Sequence, residues 1–261
     1  MKIQISVMRD GEVLAQTQAD EVAALCYEQA YRQGDEIRLY CEENMYLWLQ
    51  LEDSFAPALV YCHAGEFSFP IPFEEKRVCY SQKAFTGTRH LIFARCAVSQ
   101  EIAARRNLAL NPLDHHENNS VFPHAKANVE TRGEAWFAAR NAIDGNIASA
   151  GHGLYPFESW GINRREDAEL TVYFGRPVRV DELVVTLRAD FPHDNWWKEA
   201  EFVFSDGSKE VLHFQKSGLP QRFAVQPRTT EFVTICNMKK DETDPSPFPA
   251  LTQLEVWGTE V

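Results

Sequence analysis

Long apolar runs are missing from this sequence. No stretch approaches the roughly eighteen consecutive apolar residues of a membrane-crossing helix, so no membrane partner is expected. A surplus of positive charge is missing too: 26 Lys and Arg stand against 38 Asp and Glu, a net charge of −12. Phosphate binding needs a basic face, which argues against nucleic acid as the main partner. The opening MKIQISVMRDGEV has no apolar run and no small-residue cleavage site, unlike a secretory leader. The expected compartment is the cytoplasm, with secretion as the alternative if a leader has been trimmed. No Cys-x-x-Cys pair occurs among Cys26, Cys41, Cys62, Cys79, Cys96 and Cys236, which speaks against a zinc ribbon. Read as small hydrophobes, these thiols fit a reducing compartment. Gly-x-Ser-x-Gly, P-loop and dinucleotide fingerprints are also absent.

What is present is β-forming. Ile3, Ile5 and Val7 alternate as in a half-buried strand, and Asp10-Gly11 then makes a turn. Residues 36–41, 46–51, 58–62, 66–71 and 90–97 read as further strands, separated by Asp53, Gly65, Pro70, Pro72 and Gly87. Asp20 to Gln33 reads as a helix with Val22, Leu25 and Cys26 on one face, although Cys26 to Tyr31 also suits an extended chain. After a helical turn at 99–106 comes a polar run, Asp114-His115-His116-Glu117-Asn118-Asn119, expected to be a linker. Strands follow near 169–174, 183–188, 201–204, 210–215, 222–225, 232–237 and 251–257, with Asp206-Gly207 as a hairpin turn. The expected class is all-β: two β-sandwich domains in tandem, 1–106 and 122–261, joined by 107–121. Seventeen Phe and six Trp are enough for thick cores with a few rings left over for a site.

The stretch from Phe122 to Trp160 organises the second half. Asn141-Ala142-Ile143-Asp144-Gly145-Asn146, followed by Ser149, sets several oxygen donors on one tight loop. Hard cations want such donors converging at about 2.4 Å, but Asp-Gly-Asn is equally an ordinary turn. Beyond it lie Ser159-Trp160-Gly161, Val172-Tyr173-Phe174-Gly175, Ser205-Asp206-Gly207 and Leu254-Glu255-Val256-Trp257-Gly258. This order over roughly the last half of the chain resembles the discoidin, or coagulation factor V/VIII C-type, domain, whose family includes the family 32 carbohydrate-binding modules. The resemblance implies a galactose-binding-like jelly roll at 122–261. It also implies a structural calcium, with Asp144, Asn146 and Ser149 as ligands, Glu255 closing the site, and the Ala250 carbonyl nearby. Trp160 is expected in the core.

A second constellation, Arg188 to Trp197, follows a strand and is expected at one end of the sandwich. Its guanidinium, carboxylates, imidazole, amide and indoles are the mixture that sugar sites use. Planar polar groups bond adjacent hydroxyls, and a ring packs on the sugar's C–H face. Arg188, Asp190, His193, Asp194, Asn195, Trp196 and Trp197 are therefore the expected ligand contacts, with His152 and Tyr155 adding to them. The alternative is that one Trp is core and that Arg188 and Asp190 brace a loop. His115 and His116 lack the helical spacing of a zinc pair. Arg164-Arg165 reads as a solvated pair.

The function expected from these readings is non-catalytic carbohydrate binding. An enzyme acting on sugars at a cleft between the domains, through His115, His116, Asp190 and His193, is the alternative. A protein-interaction module is another.

Overall fold

The structure, a computed structural model, describes residues 2–149, 153, 155–189 and 195–261. The N-terminal strands are short: β1 (Ile3–Arg9), β2 (Glu12–Ala19), β3 (Val22–Tyr27), β4 (Glu36–Cys41), β5 (Met45–Gln50), β6 (Ala58–Cys62), β7 (Gly65–Pro70) and β8 (His90–Cys96). Ile3, Ile5 and Val7 are wholly buried, as their alternation predicts. Asp10 and Gly11 join β1 to β2 with left-handed φ of 50° and 82°, the conformation a tight hairpin wants. One sheet runs β2-β1-β4-β7 and the other β6-β5-β8-β3, both antiparallel. They close over a core that includes Ile5, Ile37, Leu47, Phe69 and Ile92.

The helix expected from Asp20 is instead strand β3. Ala23, Leu25 and Tyr27 are buried while Val22, Ala24 and Cys26 face out, a period of two. The helical reading grouped Val22 and Cys26 with Leu25, which pairing with β8 separates.

Next come α1 (Ser99–Ala103), β9 (Arg106–Asn107), β10 (Val121–Phe122), β11 (His124–Ala127), β12 (Trp160–Gly161), β13 (Leu170–Leu187), β14 (Trp197–Phe204), β15 (Lys209–His213), β16 (Gln221–Lys240) and β17 (Ala250–Glu260). Their sheet runs β12-β17-β13-β16-β14-β15, with β11 on β13 and β9 on β17. Pairs of strands expected as separate pieces are continuous here. The expected strands near 169–174 and 183–188 fall together in β13, apart from their end residues 169 and 188, and those near 222–225 and 232–237 in β16. The Gly175-Arg176-Pro177 step, between the two expected strands, lies within an irregularity of the β13–β16 ladder between Tyr173 and Val178. A second core fills this half, including Trp160, Phe174, Phe202, Leu183 and Leu254.

Most of the segment 107–121 is buried or half-buried and bonded, with His116, Glu117 and Asn119 exposed. Leu108 and Ala109 join the second core, while Leu113 and Val121 join the first. The wholly buried Asp114 carboxylate accepts hydrogen bonds from Ala125 N (2.8 Å), His124 Nδ1 (2.8 Å) and Asn118 Nδ2 (2.7 Å). A carboxylate so placed organises the backbone around it, which polarity in sequence alone disguises.

The two halves also meet through side chains. Glu260 accepts from Tyr46 Oη (2.7 Å), from Arg176 (2.6 and 2.9 Å) and from Arg106. The Arg176 guanidinium lies 5.1 and 4.9 Å from the ring centroids of Tyr46 and Tyr61. Phe122 packs on Gly175, where a Cβ would come within 2.4 Å of the ring.

Candidate functional site

A cavity of about 230 Å³ opens at one end of the C-terminal sandwich. Four pieces of chain bound it. The first is a run of 3-10 turns, Thr131–Gly133 and Ala135–Phe137, which supplies Thr131, Arg132 and Phe137. The second is the turn after β12. Arg165 N donates to Ile162 O (2.9 Å), and Asn163 and Arg164 between them are both left-handed, with φ of 48° and 63°. Asn163 N donates to Thr131 Oγ1 (2.9 Å), which ties the second piece to the first. The third is Arg188, just past the end of β13, whose N–H donates to Ala250 O (3.0 Å). The fourth is Pro247-Phe248-Pro249, leading into β17.

The Arg188 guanidinium is 4% exposed and lies 4.5 Å from the centroid of Phe157 and 5.7 Å from that of Phe137. It donates to Ser159 Oγ (3.3 Å). Its planar fork is thus held between rings before any ligand arrives. On the rim, the Arg164 guanidinium sits over Phe248 at 4.6 Å. Arg132 is held in a two-pronged bond to Glu134 (2.5 and 2.7 Å).

Of the expected ligand contacts, Arg188 lines the cavity. Asp190, His193, Asp194 and His152 lie outside the described residues. Asn195 is a correction: it is wholly buried, and its amide donates to the carbonyls of Asp241 (3.0 Å), Asp244 (3.2 Å) and Ser246 (2.6 Å). It pins the loop that leads to Phe248, with its own oxygen accepting from Trp196 N (2.6 Å). Trp197 is also a correction. It starts β14 facing inward, 1% exposed, with its ring 6.3 Å from that of Trp160 in the core. Trp196 is half-buried against that core and donates through Nε1 to Asp241 Oδ2 (3.2 Å). Tyr155 is exposed and away from the cavity lining. Trp160 is core, as expected, with Nε1 donating to Val129 O (2.9 Å).

Phe137, Asn163, Arg164 and Phe248 shape the cavity but were not among the residues expected to bind. The available signal was Asn163-Arg164 following the Trp160-Gly161 strand: two polar residues in a place suited to a tight turn. His115 and His116 engage different partners. The His115 ring packs 5.4 and 5.8 Å from Phe67 and Phe69, and burial lowers its pKa. His116 Nε2 bonds Glu130 Oε2 (2.7 Å), which raises its pKa.

The 141–149 loop does not fit the expected calcium. Asp144 Oδ2 lies 3.8 Å from Arg140 Nη1, so a fixed cation already faces that carboxylate. Asp144 Oδ1 accepts from Asn146 N (2.8 Å), and Asn146 Oδ1 from Ala148 N (3.1 Å). Glu255 is turned away and accepts from Trp257 Nε1 (2.6 Å). The β17 residue that reaches the loop is the neutral Gln253, whose Oε1 accepts from Gly145 N (3.2 Å). Ala250 O is taken by Arg188 N, and Ser149 Oγ is buried without a hydrogen-bond partner. Burial pushes the Asp144 carboxyl up to about 7, with Glu158 adding to the shift and Arg140 opposing it. Among the described residues no group of three or more His, Cys, Asp or Glu is arranged to hold a metal.

No protein-family model matches the chain, and no curated protein matches it. Among solved structures it is similar to the family 32 carbohydrate-binding module of C. perfringens NanJ, in complex with galactose. That likeness has 20% identity, covers 51% of this chain and 91% of that one, and has a TM-score of 0.39. The lectin domain of lectinolysin, complexed with Lewis B antigen, is 18% identical over 59% of this chain and 97% of its own, with a TM-score of 0.43. A fucose-binding module of Streptococcus pneumoniae is 13% identical over 59% and 99%, with a TM-score of 0.41. These neighbours are carbohydrate-binding modules of the discoidin-like kind that the sequence resembles.

Proposed function

We propose that this protein binds a carbohydrate, without reacting with it, in the cavity between Phe137, Asn163, Arg188 and Phe248. The observation that carries this reading is the pairing of aromatic walls with a buried, pre-oriented guanidinium. A sugar ring offers an apolar C–H face and an edge of hydroxyls, and these surfaces meet both halves of that complement. Pro247 and Pro249 stiffen the wall that carries Phe248, so little order has to be imposed on binding. A cavity of about 230 Å³ lies below the roughly 300–1,000 Å³ of drug-sized sites, which suits one sugar unit at a chain end. Among the described lining residues there is no carboxylate, whereas glycoside hydrolysis uses two, and this supports binding over hydrolysis.

The test is a glycan array followed by titration of any hit, on wild type and on Phe248→Ala. The Phe248 ring is 41% exposed, so its removal leaves the melting temperature almost unchanged. Loss of one sugar–ring contact is expected to weaken binding by about 1.4 kcal/mol, close to ten-fold. EDTA is expected to change neither binding nor melting, given Arg140 beside Asp144. A wild type that binds no glycan, or a Phe248→Ala variant that binds unchanged, overturns the assignment.

A further inference from the structure

We infer that the sugar taken by this cavity carries a carboxylate, and that Arg164 on the rim receives it; this rests on the binding reading above. The first support is the sign of the lining. The chain has a net charge of −12, yet every charged residue described in the cavity wall is an arginine: Arg132, Arg164 and Arg188. A wall selected only for neutral hydroxyls has no need of that bias.

The three differ in what already occupies them. Arg132 is balanced by Glu134, and Arg188 is buried among rings and bonded to Ser159. Arg164 is exposed, and among the described residues no carboxylate lies within ion-pair distance of it. Its neighbour Arg165, by contrast, is paired with Asp167. The Phe248 ring, 4.6 Å beneath the Arg164 guanidinium, restrains the charge on the rim. A guanidinium lying over a ring keeps its in-plane N–H donors, and two of these match a carboxylate side by side.

The backbone gives a second, independent support. Ile162 O accepts from Arg165 N across Asn163 and Arg164, and both central residues are left-handed. In such a turn Asn is well suited to the first central position and Gly to the second. Arginine stands where glycine would fit without steric penalty, and strain of this sort gathers where a side chain is needed for binding. Loss of Arg164 should therefore harm recognition without harming the fold.

The probes are galacturonate and glucuronate against their neutral counterparts galactose and glucose, titrated on wild type, Arg164→Gly and Arg164→Lys. Wild type is expected to bind at least one uronate ten-fold or more tighter than its neutral twin, with the preference shrinking as salt is raised. Arg164→Gly is expected to melt no lower than wild type and to lose the preference. Arg164→Lys is expected to keep only part of it, because an ammonium cannot bond in two prongs. Equal affinity for acid and neutral sugar in wild type overturns the inference and leaves sugar binding standing. A preference undiminished in Arg164→Gly shows that another group reads the carboxylate and overturns the role of Arg164. Binding of none of the four sugars overturns this inference, and only an empty glycan array overturns the binding reading with it.

Discussion

The N-terminal sandwich is made of eight strands, none longer than eight residues, while the C-terminal one runs β13 through 18 residues and β16 through 20. Short strands divide the first half into two separate sheets. Long, irregularly paired strands let the second half enclose its core with a single sheet, because each irregularity bends the strand without ending it. The consequence appears where the strands stop. β13 ends and β17 begins as register neighbours, Leu187 opposite Leu251, so Arg188 and the Pro247–Pro249 wall are fixed to one ladder. A binding cavity formed there inherits the stiffness of the sheet.

Buried polar groups are handled in two ways. Around the cavity, Asn195 gives its amide to three carbonyls. In the N-terminal core, Tyr31 Oη and His90 Nε2 are buried without partners among the described residues, although the Tyr31 ring lies 5.3 Å from Tyr27 and 4.2 Å from His90. Burial and nearby Glu52 push the Tyr31 phenol up, away from ionisation. Buried polar atoms without a partner occur in the second half too, at Ser149 Oγ, Thr186 Oγ1 and Gln253 Nε2 among the described residues.

The largest expected effect comes from breaking the joint between the halves. Glu260→Ala strands two mostly buried guanidiniums, Arg106 and Arg176, and should cost about 3 kcal/mol. Urea unfolding followed by Trp fluorescence should show the transition moving to lower urea and separating into two phases, one for each core. A single transition at the wild-type midpoint would show that the joint does not couple the halves. Next comes Asn195→Ala, which leaves three carbonyls without their donor and should cost about 2 kcal/mol. It should also weaken sugar binding by loosening the Phe248 wall; full affinity in this variant would separate the clamp from the cavity. The smallest effect is the opposite in sign. Tyr31→Phe removes an unpartnered hydroxyl and should leave stability unchanged or raise it by about 1 kcal/mol. A loss of more than that would reveal a partner for the hydroxyl.

The sequence was most legible where periodicity alone decides. Leu170, Val172 and Phe174 point inward and Tyr173 outward, as their alternation requires, and Leu183-Val184-Val185 is covered on both faces. It was least legible where tertiary pairing overrides local signals. Gly175 and Pro177 fall between two expected strands but sit inside a strand irregularity, and Asp114 and Asn118 look solvated but are buried to bond the backbone. For the candidate cavity, the sequence reading named one lining residue, Arg188, while most of the described residues of the richest motif face elsewhere. Asn195 and Trp197 have the chemistry of ligand contacts, but the first is committed to carbonyls and the second to the core. Residue type gives the capacity to bind, and direction decides whether it is free to do so. Arg164 and Phe248, 84 positions apart in the chain, are brought together only by the fold. Direction matters in the 141–149 loop too: the β17 residue that reaches it is Gln253, two positions earlier than Glu255, and it carries no charge.

The crossing of β9 and β10 bears on how this chain can be divided. β9 precedes β10 in sequence, yet β9 pairs with β17 of the second half while β10 pairs with β6 of the first. A cut before Arg106 leaves the first sandwich without its edge strand, and a cut after Phe122 leaves the second without one of its own. No single break returns two intact sheets. The two halves are therefore laced through these strands, and a protease nick between them should leave fragments that stay together until denaturant is added.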